Sequence, residues 1–176
     1  MKSKIAKFMC VAVVMVAAFM VSAAANAQEG AMGCQLGLGY QGIMAGELIN
    51  GASLRMLPAP LGAQLVVGYW EGDIDDVDVE ADLYTIRGKV LYSLVNKELV
   101  KFYVGAELGY TEADVEGADA DAWTYGPLFG AEWMFEEIPE IGFNFEVGYQ
   151  FNDVDVEDTD IDLDGVNVTF GIHYYF

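Results

Sequence analysis

A five-residue phrase occurs four times in this chain: Leu36-Gly37-Leu38-Gly39-Tyr40, Leu65-Val66-Val67-Gly68-Tyr69, Ala106-Glu107-Leu108-Gly109-Tyr110 and Phe145-Glu146-Val147-Gly148-Tyr149. Each copy reads apolar, any residue, apolar, Gly, Tyr. Alternation with period two makes a strand with one apolar face. A second alternating run follows each copy, so the phrase predicts four hairpins and eight antiparallel strands. They lie near Gln35–Ile43, Ile49–Leu57, Ala63–Trp70, Leu83–Val95, Leu99–Thr111, Ala122–Phe135, Ile141–Asn152 and Gly165–Phe176. Pro58–Gly62, Asn96–Glu98 and Glu136–Glu140 read as short turns. Residues 71–82, 112–121 and 153–164 read as loops holding 7, 5 and 7 carboxylates. The first loop, around Ala45 to Leu48, is short and nearly uncharged.

Parity separates two faces. In the last run Val166, Val168, Phe170, Ile172, Tyr174 and Phe176 share one, while Asn167, Thr169, Gly171, His173 and Tyr175 share the other. A soluble up-and-down barrel would bury the apolar set inside. Here the large aromatics occupy the apolar face, and the other face carries glycines and charges. That pattern predicts an eight-stranded up-and-down barrel with its apolar face in a membrane. Tyr40, Tyr69, Tyr110 and Tyr149 would form one aromatic girdle, and Tyr92, Phe102, Trp133, Phe135, Phe143 and Tyr174 the other. Arg55, Arg87, Lys89, Lys101, Glu107, Glu132 and Glu146 fall on the inward parity. A basic residue facing lipid near the midplane would cost about 2–4 kcal/mol. An eight-stranded interior is just wide enough for side chains, so these charges are expected to pair and close the lumen.

The N-terminus supplies the route to a membrane. Lys2, Lys4 and Lys7 precede an apolar run from Phe8, and Ala25-Asn26-Ala27 has the form of a signal cleavage site. Residues 1–27 are read as a cleaved secretory signal and 28–176 as one mature domain. The mature segment keeps all 28 acids and five of the eight bases, a net charge of −23. Nucleic acid is thereby excluded as a partner, because binding it depends on basic patches. Cys10 leaves with the signal and Cys34 stands alone, so no intrachain disulfide is expected.

Signal, strand count and aromatic end together resemble the small outer-membrane barrel family of the OmpA transmembrane domain, OmpX and the opacity-type proteins. The closing Gly171-Ile172-His173-Tyr174-Tyr175-Phe176 is similar to that family's C-terminal assembly signal. The resemblance implies that Gly171, Tyr174 and Phe176 are read by the barrel-insertion machinery. It also implies a monomer among outer-membrane lipids, with turns toward the periplasm and longer loops outside the cell. Two features depart from the pattern. Phe170 stands where the family often has a polar residue, and Pro127 inside the sixth strand suggests a bulge.

Little in the chain points to catalysis. His173 is the single histidine, and Ser53 and Ser93 are the serines of the mature segment; none adjoins another in sequence. No cofactor is expected. The acidic stretches are more suggestive, since hard divalent cations take several carboxylate oxygens. Asp160 to Gly165 matches the opening of an EF-hand loop, but Gly171 stands where the closing bidentate Glu belongs. Asp158, Asp160, Asp162 and Asp164 are therefore expected to bind Ca2+ or Mg2+ weakly, without a dedicated cage. The favoured reading is a structural or surface-interaction barrel. A small ion channel is the alternative and a lipid-modifying enzyme the second alternative.

Overall fold

The computed structural model of the protein describes residues 36–45, 50–57, 60–74, 79–115, 118–156 and 159–176. The expected signal and Cys34 lie outside the described residues. Eight strands run in chain order: β1 Leu36–Ala45, β2 Gly51–Met56, β3 Leu61–Ile74, β4 Val79–Asn96, β5 Val100–Val115, β6 Ala118–Phe135, β7 Ile138–Val156 and β8 Thr159–Tyr175. Each pairs antiparallel with the next, and β8 returns to β1 to close the barrel. The Phe176 amide donates to the Leu36 carbonyl at 3.1 Å at that seam. Where all eight strands pair, closure leaves no edge, as a wall surrounded by hydrocarbon requires; beyond Val67 on β3 and Val168 on β8 the described residues carry no pairing toward β2 or β1.

The period-two pattern sets the two surfaces. Leu108, Phe129 and Val166 are about half exposed on the outer wall, whereas Gln64, Glu132, Asn144 and His173 are fully enclosed. Outward rings stack between neighbouring strands, as in Tyr69 with Tyr84 at 4.7 Å and Tyr125 with Phe151 at 5.5 Å. The lumen is crowded, and glycines make room in it for the rings of their neighbours. Tyr103 faces Gly130 across β5 and β6, and a Cβ on Gly130 would collide with the Tyr103 ring. Gly37 and Gly142 admit the Tyr175 ring in the same way.

Three sequence expectations change. The acidic stretches are not mainly loops: β3 and β4 pair through Glu71↔Asp82 and Asp73↔Glu80, and β7 and β8 through Asp153↔Asp162 and Asp155↔Asp160. The strands continue because the period of two never breaks; only the polarity of the faces is exchanged. Second, no register shift occurs at Pro127, which opposes Ala106 in register. Its missing amide is accommodated by a gap in the β6–β7 pairing between Tyr125↔Phe151 and Leu128↔Gly148. Register shifts occur instead at Ile43/Ala45, Ser93/Val95 and Met134/Phe135. Third, the turn before β7 is only Glu136–Glu137, since Ile138, Pro139 and Glu140 already belong to the strand. Proline is tolerated there because it stands at a strand's start.

Candidate functional site

The lumen gathers the charged residues that parity placed inside. Glu146 on β7 is the hub. Its carboxylate accepts from the Arg55 guanidinium at 3.0 Å, the Lys89 ammonium at 2.6 Å and the Tyr103 hydroxyl at 2.8 Å. Thr169 adds a longer bond at 3.3 Å. Lys89 also lies 3.2 Å from Glu107, which accepts from the Gln150 amide. Arg55 reaches Glu132 at 3.5 Å, donates to Gln64 and lies over the Tyr103 ring. Lys101 stands 3.8 Å from Glu132 and over the Tyr175 ring. Arg87 lays its stem against Gly109, its cross-strand partner, and feels the charge of Glu107. All seven candidates are thus brought into one stack of charge. Buried charge is tolerable only when paired and hydrogen-bonded.

Several members of this network were invisible to charge-based reading. Gln41, Gln64 and Asn144 link β1, β3 and β7: Gln64 donates to Gln41 at 2.9 Å and Asn144 to the same oxygen at 3.2 Å. Tyr175 donates to Glu132. The signal that could have found the tyrosines is their inward parity opposite glycines. Gly171 belongs here too. A Cβ there would push aside the amide ends of Asn144 and Gln41, so glycine leaves room for their hydrogen bonds in the lumen. Tyr174 and Phe176 point outward and meet edge to face at 5.5 Å.

The fold brings His173 and Ser53 together although 120 residues separate them, Nε2 and Oγ standing 2.9 Å apart. Gln64 donates to the same Ser53 oxygen at 2.7 Å. A nucleophile and base stand at this distance in hydrolases, but such a pair needs a third group to orient the base and a path for substrate. Ser53 and His173 are enclosed at 1% and 0% exposure, and among the described residues nothing meets His173 Nδ1. The arrangement is a polar link between β2 and β8.

The hairpin ends hold the other candidate residues. Asp158 lies outside the described residues. Asp160, Asp162 and Asp164 occupy alternate positions of β8, about 6.8 Å apart per step, on a strand rather than in a loop. Asp162 opposes Asp153, and Asp164 accepts from the Tyr149 hydroxyl. Tyr69 likewise donates to Glu71 at 2.9 Å and to Asp82 at 3.1 Å. Among the described residues no group of three or more His, Cys, Asp or Glu side chains is arranged to hold a metal ion.

Residues 11–176 match the family described as outer membrane protein beta-barrel domain. The chain belongs to that family. No curated protein matches it significantly. Among solved structures it is similar to Neisserial surface protein A, at 18% identity and TM-score 0.51, covering 81% of this chain and 94% of that one. It also matches Ail of Yersinia pestis in a phospholipid nanodisc, at 14% identity and TM-score 0.44, over 81% and 97% of the two chains. The N-terminal barrel of Pseudomonas aeruginosa OprF matches at 14% identity and TM-score 0.42, over 81% and 96%. The family places the protein in the bacterial outer membrane, and the first of these structures shares its fold.

Proposed function

We propose that this barrel is a closed structural and surface-interaction element of the outer membrane, with its acidic hairpins on the extracellular side. Glu71, Asp82, Glu112, Asp114, Asp121, Asp153, Asp155, Asp162 and Asp164 stand on the outward parity of the strands, directly beyond the girdle tyrosines. Outward carboxylates at that height face the headgroup layer. They also oppose one another across strands, as Glu112↔Asp121↔Asp155 shows. Like charges in direct opposition destabilise a sheet, so divalent cations that enter between them relieve repulsion. Where the surrounding lipid is anionic, the same cations bridge protein to headgroups. Binding of this kind is loose and distributed, in keeping with Asp158, Asp160, Asp162 and Asp164 acting as part of a collar.

The paired lumen supports a closed barrel over a channel. The test is reconstitution into planar bilayers and anionic nanodiscs. Conductance should stay at background, and calcium should raise the thermal transition of the protein far more than that of the Asp82→Asn, Asp114→Asn, Asp153→Asn, Asp162→Asn variant. A stable single-channel conductance would overturn closure, and equal calcium responses would overturn the cation collar. Residues 1–27 serve as the signal and Gly171, Tyr174 and Phe176 as the assembly signal in this reading. Deleting Phe176 should leave protease-sensitive chain in the periplasm, and normal membrane levels would refute that role.

A further inference from the structure

We infer that the mouth at the hairpin end is a binding cup for a cationic amphipathic peptide. Beyond the girdle the inward face of the strands turns apolar. Trp70, Leu83, Val154, Ile161 and Leu163 occupy it, and Trp70, Ile161 and Leu163 remain 46%, 41% and 56% exposed. These are not lipid-facing residues, because their parity is that of Gln64, Thr85, Gln150 and Asn167 in the lumen of the same strands. Trp70 on β3 and Ile161 and Leu163 on β8 lie beyond the last β2–β3 and β1–β8 pairs, so they flank the inner face of a six-strand extension. Large apolar side chains left accessible on such a face mark a place where a partner's apolar group is buried.

The cup has a floor. One inward step below it, Thr85 meets Thr111 at 3.0 Å and Thr124 donates to Asn152 at 2.7 Å. Thr85 and Thr124 are buried, and the ion-paired stack lies beneath them. Beneath Leu83 and Val154 a ligand therefore meets a hydrogen-bonded layer.

Charge selects the occupant. Each cup residue is the chain neighbour of an outward acid: Trp70 of Glu71, Leu83 of Asp82, Val154 of Asp153 and Leu163 of Asp162. The wall is one strand thick, apolar within and acidic without. The bases after the expected cleavage site are Arg55, Arg87, Lys89, Lys97 and Lys101, and none belongs to the hairpin extensions. The field at the mouth thus attracts cations and repels anions. A single-headed amphiphile with its tail in the cup cannot reach carboxylates on the far side of the wall. A peptide can, by seating an apolar side chain inside and laying basic residues over the rim. An eight-stranded barrel admits side chains and not a folded domain, which limits the partner to an extended or helical segment.

The experiment uses the full mature chain in phosphatidylcholine nanodiscs and a short fluorescent peptide of Lys and Leu, followed by anisotropy, with empty nanodiscs as background. The peptide should bind the protein discs at least tenfold more tightly than empty discs, and a Glu–Leu counterpart should not. Ile161→Asn with Leu163→Asn, at positions already exposed, should weaken binding at least tenfold while the barrel keeps its heat-modifiable migration. Asp82→Asn with Asp153→Asn should weaken it and flatten its salt dependence. Equal binding by the Ile161/Leu163 variant would reduce the effect to adsorption on the acidic collar and overturn the cup. Equal binding of the Glu–Leu peptide would overturn the charge selection. The Ile161/Leu163 variant should retain the calcium response, so failure of the cup and failure of the cation collar are read separately.

Discussion

The lower and upper halves of β6 share one backbone geometry and opposite polarity. In the lower half Tyr125, Phe129 and Trp133 face outward and Gly126, Gly130 and Glu132 inward; in the upper half Asp121 faces outward and Ala120 and Ala122 inward. β7 and β8 repeat the exchange, from Phe145 over Glu146 to Asp153 beside Val154, and from Phe170 over Thr169 to Asp162 beside Leu163. Period two sets the strand, and the choice of apolar face sets the medium around it. Below the girdle the medium is lipid and the interior must satisfy polar groups itself. Above it, in the proposed reading, the medium is water, and the six extended strands turn apolar residues inward and acids outward as a soluble sheet does. The tyrosines mark the boundary by presenting rings to lipid and hydroxyls to the acids above, as Tyr69 and Tyr149 do.

The largest effect is expected at Glu146. Replacing it with Gln leaves Arg55 and Lys89 without their shared counter-charge in an enclosed lumen. A loss of about 3–5 kcal/mol is expected, less where water enters. Urea unfolding in lipid would read it, against Asp82→Asn in the water-facing half, where the change should be under about 1 kcal/mol. Similar losses at the two sites would mean that the lumen charges are hydrated and not held by pairing.

Phe129→Lys places a charge on the outer face of the lower half. Phe129 is half exposed and stacks with Phe102 at 6.4 Å. The expected cost is about 2–4 kcal/mol near the midplane, declining toward the interfaces. Transfer free energy from denaturant into vesicles would measure it. A cost near zero would place Phe129 outside the hydrocarbon.

A smaller effect is expected at Ser53. Ser53→Ala removes the acceptor of Gln64 and the partner of His173, leaving buried polar groups unmet at about 1–3 kcal/mol. The protein should not react with a fluorophosphonate probe before or after the change, because both residues are enclosed. Labelling of Ser53 in the folded barrel would reopen the enzymatic reading.

Strand number, order and the charged lumen were legible because parity is a strict two-fold rule: Arg55, Lys89, Glu107, Glu132 and Glu146 all occupy the inward positions it assigns. The hairpin extensions were less legible for a physical reason. A dense run such as Asp153 to Asp164 has the composition of a solvated loop, although Val154, Val156, Ile161 and Leu163 keep the strand period through it. The Ser53–His173 contact could not be read at all, since closure of β8 onto β1 and the pairing of β1 with β2 together create it. The expected bulge at Pro127 failed because a missing amide can be absorbed as a local gap in hydrogen bonding without shifting register.

The smallest expected effect is also the one of opposite sign. Asp121→Lys puts a base on the same face of the same strand as Phe129→Lys, in the water-facing half. Asp121 opposes Glu112 on β5 and Asp155 on β7, so the wild-type residue meets a like charge on each side. Lysine converts both oppositions into attractions, each within about 0.2–1 kcal/mol, and stability should rise. The gain should shrink as salt is added, because exposed pairs are screened over roughly 10 Å at 0.1 M ionic strength. It should shrink as well when calcium is added to the wild type, since the cation then does for the native acids what lysine does covalently. Thermal unfolding of both proteins in nanodiscs, over a salt series with and without calcium, separates these contributions. A loss of stability at Asp121→Lys comparable with that at Phe129→Lys would mean that the extensions stand in lipid, and the boundary drawn at the tyrosines would have to move beyond Asp121.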